Sequence, residues 1–197
     1  MEVLKSKYSL IVIISAILVA CGNDKIVNIK SEEINWTVNI PPGFELISEE
    51  QWDEVKNKGK IELENYLDRN LNDEDAETTL MVYKNGAFHT IEANYKKHNS
   101  EEDFKKRISA LNKVTYESLA FAIPNTTLDS ISSIQKIDGE DFYAFEIKVN
   151  YENGEQLTTK SFRKLIGNKM FSVNILFRDP SIGDKLIQSI LDSKLQE

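Results

Sequence analysis

Cysteine is almost missing from this 197-residue chain: there is one, Cys21. One cysteine closes no internal disulfide, so the fold has to stand on its apolar core. Histidine is nearly as scarce, with only His89 and His98. Two isolated histidines and no spare thiol leave no ligand set for zinc and little for cysteine–histidine chemistry. No Gly-x-Ser-x-Gly elbow, Gly-x-Gly-x-x-Gly turn or P-loop occurs, which removes the motif-bearing hydrolases, dinucleotide enzymes and nucleotide triphosphatases. No apolar run reaches the ~20 residues that cross a hydrocarbon core of ~30 Å. Internal repeats and low-complexity stretches are also lacking. Basic residues are outnumbered, 24 against 32 acidic ones, for a formal charge of −8. That sign disfavours phosphate backbones and anionic membrane surfaces, so no nucleic-acid partner is expected.

What is present begins at the N-terminus. Residues 1–9 carry Lys5 and Lys7, and Leu10 to Ala20 (LIVIISAILVA) is a short apolar run. A charged start before a short apolar core is the arrangement of an export signal. The stretch Leu18-Val19-Ala20-Cys21-Gly22 resembles the lipobox of bacterial lipoproteins. The resemblance implies a signal peptide over 1–20, cleavage before Cys21, and diacylation of its thiol. Two or more lipid chains hold a protein stably where one does so marginally. The expected location is the bacterial cell envelope, with the membrane as a partner through the anchor at Cys21. The alternative is an ordinary secretory peptide or uncleaved anchor with a coincidental cysteine.

Residues 21–33 are mostly polar and read as a lipidated tether, leaving 34–197 as a single domain. Ile34 to Ile40 alternates apolar and polar, the period of a half-buried strand, and Pro41-Pro42-Gly43 stops it. Ser48 with Gln51 three residues on is a capping-box signal. Trp52, Val55, Gly59, Leu63, Tyr66, Leu67 and Leu71 follow at helical spacing. Gly59 costs about 1 kcal/mol relative to Ala and marks where that helix can break in two. Strands are predicted at Thr79–Asn85 and Ala87–Lys96 around Asn85-Gly86, a hairpin signal. Ser100 opens a second helix with Phe104, Ile108, Leu111, Thr115 and Leu119 on one stripe, and Pro124 ends it. Four strands near 129–138, 141–151, 156–166 and 169–178 are separated by Asp138-Gly139, Asn153-Gly154 and Gly167-Asn168. Tyr143, Phe145, Ile147, Val149 and Tyr151 share one face, as do Phe171, Val173, Ile175 and Phe177. Asp179-Pro180 starts a last helix whose stripe is Ile182, Leu186, Ile187, Ile190, Leu191 and Leu195. Hairpin-linked strands pair antiparallel and the helices cover them, so the fold class is α+β: an antiparallel sheet of about six to seven strands flanked by helices.

The opening Trp36-Thr37-Val38-Asn39-Ile40-Pro41-Pro42-Gly43-Phe44 resembles the strand and Pro-x-Gly-Phe start of PsbP-like domains. Phe171-Ser172-Val173-Asn174-Ile175 with the helix Ile182–Leu195 resembles their closing strand and helix. That superfamily includes photosystem II extrinsic subunits, a nuclear Ran-binding protein and bacterial lipoproteins. The resemblance implies an α/β/α sandwich that binds partners and is not an enzyme; a fold by itself does not supply a function.

The remaining motifs carry little chemistry. His89 falls on the predicted strand face of Ala87, Ile91, Ala93 and Tyr95, where a hydrogen-bonded structural role outweighs a general base or metal ligand. His98 sits in a polar loop and reads as solvated. Asp68-Arg69-Asn70-Leu71-Asn72-Asp73 starts like a calcium loop, but Asp73 stands where Gly is needed and Thr79 where Glu is needed. Asp73, Asp75 and Glu77 then read as a solvated acidic loop, with calcium as the alternative. Glu140-Asp141 is ordinary surface charge, and Lys96-Lys97 and Lys105-Lys106-Arg107 are small basic patches. No cofactor, metal or catalytic residue is expected, and the ligand-binding residues are unassigned. The functional expectation is a membrane-anchored, non-catalytic module that binds a protein partner or small ligand. The alternatives are an immunity or stress lipoprotein that inhibits another protein, or a hydrolase with dispersed residues.

Overall fold

The structure, a computed structural model, describes residues 26–68, 77–98 and 101–195, with Glu101 and Glu102 described by their backbone alone. The leader with Cys21, the acidic residues Asp73 and Asp75, and Ser100 lie outside the described residues.

Ten strands and three helices follow one another among the described residues: β1 (Val27–Ser31), β2 (Trp36–Ile40), β3 (Glu45–Leu46), α1 (Glu49–Leu67), β4 (Thr78–Lys84), β5 (Thr90–Lys97), α2 (Glu101–Ala122), β6 (Thr126–Ile137), β7 (Glu140–Tyr151), β8 (Gln156–Ile166), β9 (Lys169–Phe177), α3 (Pro180–Leu191) and β10 (Lys194–Leu195). A seven-stranded sheet runs β3-β4-β5-β9-β8-β7-β6, and a smaller sheet runs β1-β2-β10. Every pairing is antiparallel. This is the α+β, mostly antiparallel architecture expected.

The main core lies between one face of the large sheet and a layer made of α3 and the small sheet. Phe171, Val173, Ile175 and Phe177 of β9 meet Leu186 and Ile190 of α3 there, with Ile182, Ile187 and Leu191 packed at the margin. Trp36 of β2 stands edge-on to Phe171 at 5.0 Å between ring centroids, and its indole N–H donates to Ser193 Oγ at 2.9 Å. Asp179 caps α3 by accepting from the Ser181 N–H at 2.8 Å, with Pro180 in the first turn. Gly183 has an unforeseen role: a Cβ there would clash with the Phe177 ring, so its absence lets α3 lie directly on β9.

Four expectations need correction. The last helix ends at Leu191, and Leu195 of its expected stripe lies in β10, paired with Trp36. Residues 27–31 are not part of a tether but a strand, paired with β2 from Val27↔Ile40 to Ser31↔Trp36. Val27 and Ile29 lie half-buried against the core; two apolar residues among polar ones are too short a signal to read. Residues 85–89 form a five-residue connection rather than a two-residue hairpin, because β4 and β5 pair as Tyr83↔Ile91 and Lys84↔Thr90. That register sets Met81 and Tyr83 on the core face beside Ala93 and Ile91, and a tighter turn would swap faces along one strand. Finally, α1 runs unbroken through Gly59, whose position is open to solvent. Its start carries the capping box, Ser48 Oγ accepting from the Gln51 N–H at 3.3 Å. Val55 of its expected stripe is 49% exposed.

Candidate functional site: a polar cleft under the second helix

The opposite face of the large sheet is covered by α2, with α1 beyond it; Tyr66 of α1 donates to Glu117 of α2 at 3.1 Å. Phe104 and Ile108 of α2 pack on Met170 and Tyr143, while Tyr116 and Leu119 pack on Phe145, Ile147 and Val149. Between these two apolar contacts the sheet turns polar. Side chains alternate along a strand, so registered residues on this face form rows across β5, β9, β8 and β7. One row is Asn94–Ser172–Arg163–Tyr143, and the next is Glu92–Asn174–Ser161–Phe145. The third is Thr90–Leu176–Thr159–Ile147.

Over these rows lies a cavity of about 300 Å³ lined by Glu77, Leu111, Thr115, Phe145, Ile147, Thr159, Ser161, Arg163, Ser172 and Asn174. Arg163 is only 8% exposed. Its Nη1 donates to Asn112 Oδ1 of α2 at 2.9 Å, and among the described residues no carboxylate lies within ion-pair distance of it. Burial pushes its pKa down and the more distant Glu77 pushes it back; a guanidinium starting so high stays charged. Glu92 accepts from both neighbouring amides, Asn94 at 3.0 Å and Asn174 at 3.2 Å. Asn94 is fully buried and its Oδ1 has no partner among the described residues. Glu77 stands at the mouth, exposed as a residue but with its carboxyl held back from water. That withdrawal, with the negative charge of Glu92, raises its pKa against the pull of Arg163, Lys96 and Arg107. A second cleft of about 430 Å³, between α1 and β4, shares Glu77 and includes Trp52, Lys56 and Met81.

The residues singled out in the sequence mostly stand elsewhere. His89 lies in the β4–β5 connection, off the strand, where its Nδ1 accepts from the Arg178 N–H at 3.4 Å. His98 follows the far end of β5, edge-on to Phe104 at 6.0 Å, so the two histidines are separated by the length of a strand. Its Nε2 is buried without a partner among the described residues, unlike the solvated loop residue expected. Glu140 pairs with Lys164 at 2.9 Å and Asp141 with Lys136 at 2.5 Å, as surface ion pairs. Of the acidic group only Glu77 is described, and it borders the cleft. Among the described residues no cluster of three His, Cys, Asp or Glu side chains is placed to hold a metal, and no helix is long and apolar enough to cross a membrane.

The cleft residues Arg163, Ser161, Ser172 and Asn174, and their row neighbours Glu92 and Asn94, were missed because they alternate with apolar neighbours and pass for a solvent face. The signal against that was the stripe of α2. A helix with four apolar residues on one stripe needs a sheet face beneath it, so the polar side of β8 and β9 had to be covered.

No protein-family model matches the sequence, and no characterised protein matches it in sequence. Solved structures do match in shape. The yeast Ran-binding protein Mog1p of Saccharomyces cerevisiae aligns at a TM-score of 0.45 and 11% identity, over 87% of this chain and 96% of that one. A Bacteroides thetaiotaomicron protein aligns at 0.49 and 11% identity, over 86% of this chain and 48% of that one. The cyanobacterial PsbP protein of Synechocystis, CyanoP, aligns at 0.52 and 8% identity, over 90% of this chain and 96% of its own. At that identity the likeness speaks for architecture alone, and the architecture of this chain is the PsbP-like fold.

Proposed function

We propose that this protein is a membrane-tethered, non-catalytic binding module of the bacterial cell envelope, anchored through Cys21, whose ligand enters the cleft beneath α2. The observation behind the binding reading is Arg163: a buried guanidinium whose one side-chain hydrogen bond among the described residues is to Asn112, beside open space. Charged groups are rarely buried without a counter-charge, and a site that awaits a ligand is one reason to keep such a group. The tether rests on the charged start, short apolar run and lipobox-like Leu18–Cys21. The hydrolase alternative calls for His89 in a cleft beside a carboxylate and a hydroxyl, and His89 does not line this one. The inhibitor alternative calls for a broad exposed apolar patch. The exposed Ile131 and Ile134 of β6 are three apart on a strand and so point to opposite faces.

Two experiments test the two halves. Cys21→Ser is expected to move the protein from the membrane fraction to soluble or unprocessed fractions; unchanged partition with normal processing rules the anchor out. The full-length chain, purified in mild detergent, is expected to carry a small molecule detected by mass spectrometry after denaturation. That molecule should be lost from Thr115→Met, which fills the cleft from α2. Identical small-molecule profiles for the two proteins would remove the binding half.

A further inference from the structure

The chemistry of the cleft is graded along its length. At one end Arg163 presents a planar fork of N–H donors of which, among the described residues, one is used, on Asn112. Beside it Ser172 makes no side-chain hydrogen bond among the described residues, and Ser161 makes only a 3.5 Å contact to the Phe145 carbonyl. One row on, about 7 Å along the strands, the wall includes Phe145, and a row further it includes Ile147 and Thr159, with Leu111 completing an apolar side. We infer that the cleft takes a short amphipathic monocarboxylate, its carboxylate on Arg163 and the Ser161 and Ser172 hydroxyls, its hydrocarbon part against Leu111, Phe145 and Ile147. This assignment rests on the binding reading above and names its ligand class.

Three features select that class. A guanidinium binds a carboxylate through two parallel hydrogen bonds, a geometry the unused donors of Arg163 allow. The charge to be neutralised is single. Among the residues lining the cleft Arg163 is the one cation and Glu77 the one carboxylate, so a monoanion meets its partner while the second charge of a dianion such as a phosphate monoester would meet no cation. The volume, about 300 Å³, lies at the small end of ligand cavities, which run from ~300 to 1,000 Å³, so the apolar part is a few carbons long.

The test uses the full-length chain in mild detergent, titrated with sodium hexanoate, hexanamide and inorganic phosphate by calorimetry and amide chemical shifts. Hexanoate is expected to bind, with shifts centred on Ser161, Arg163 and Ser172, while phosphate does not compete. Arg163→Met, which keeps the stem and removes the charge, is expected to weaken hexanoate about 10- to 100-fold and to leave hexanamide little changed. Thr115→Met retains Arg163 and should block both, which keeps the test open if Arg163→Met folds poorly. Hexanamide binding the wild type as tightly as hexanoate, or phosphate displacing it, would overturn the ligand class while a cleft blocked by Thr115→Met still upheld the binding module. No binding by any probe, together with an unchanged small-molecule profile in Thr115→Met, would overturn both.

Discussion

The two faces of the seven-stranded sheet are built by opposite rules. On the face under α3 and the small sheet, β9 contributes Phe171, Val173, Ile175 and Phe177, all within one continuous apolar core. On the face under α2, the intervening residues of the same strand are Met170, Ser172, Asn174 and Leu176, and the apolar contacts split into two separate clusters. The gap between those clusters is the cleft. One strand therefore serves stability on one side and leaves room for chemistry on the other. An apolar face is satisfied by close packing alone. A covered polar face must satisfy each donor and acceptor, and what it leaves unsatisfied is where a ligand has something to offer.

The comparison breaks first at Phe171. Its ring is completely buried between Trp36, at 5.0 Å, and Phe142, at 6.4 Å. Phe171→Ala removes the ring from a tightly filled site and is expected to cost ~3–5 kcal/mol. Set against the ~5–15 kcal/mol of an ordinary domain, that is a large part of the total. Urea or thermal unfolding of the full chain measures it; a loss below that of an exposed-face substitution would mean the apolar core has been placed on the wrong side.

Gly183→Ala tests the same face from the helix. The new methyl would overlap the Phe177 ring, so either α3 lifts or the ring turns, at ~1–3 kcal/mol. Ala normally stabilises a helix interior over Gly, so the sign itself is diagnostic: a stabilised variant would show that α3 does not press on β9. This glycine was invisible in the sequence, where it sits in a strong helical pattern as a mild weakness. Close approach of two backbones is a property of the pair, and one strand of text does not show it. Much else was legible. The hairpin dipeptides Asp138-Gly139 and Gly167-Asn168 both fall at two-residue turns, between Ile137↔Glu140 and Ile166↔Lys169. The caps of α1 and α3 stand at Ser48 and Asp179 as read. Legibility failed where a pattern has two meanings: alternation in β8 and β9 reads as core against solvent, and the polar side of Ser161, Arg163, Ser172 and Asn174 is covered instead.

Asn174→Ala sharpens the contrast with its neighbours in β9. The side chain is half-buried and donates to Glu92 at 3.2 Å; Asn94 still donates to that carboxylate when Asn174 is truncated. One hydrogen bond with a surviving alternative is worth ~1 kcal/mol or less. The ratio of Phe171→Ala to Asn174→Ala in one unfolding series is therefore the direct measure of how unlike the two faces are. Equal costs would show that the polar rows are as much a part of the folding core as the aromatic ones.

The smallest effect expected is at Glu77, and it is a matter of sign. Its carboxyl holds its proton to higher pH than the usual value of 4.5, first because the fold draws it from water and second because Glu92 is near. The unfolded chain has neither cause. A carboxyl whose folded pKa is raised contributes its stability in full below the unfolded value, and that contribution is lost as pH climbs through the folded one. Glu77→Gln mimics the protonated form at every pH. Wild type and variant should therefore match in acid, below the usual carboxylate range, and the variant should become the more stable of the two as pH rises towards about 7. The difference between the two proteins isolates this group from carboxylates that behave oppositely. Asp138, held low by Lys194 and the Leu195 N–H, is one of those, and Asp179, held low by the Ser181 N–H, is another. Paired urea midpoints across that range read it directly. A variant less stable than wild type near neutrality would mean that the attraction of Glu77 for Arg163, Lys96 and Arg107 outweighs its burial. The guanidinium in the cleft would then already have its counter-charge.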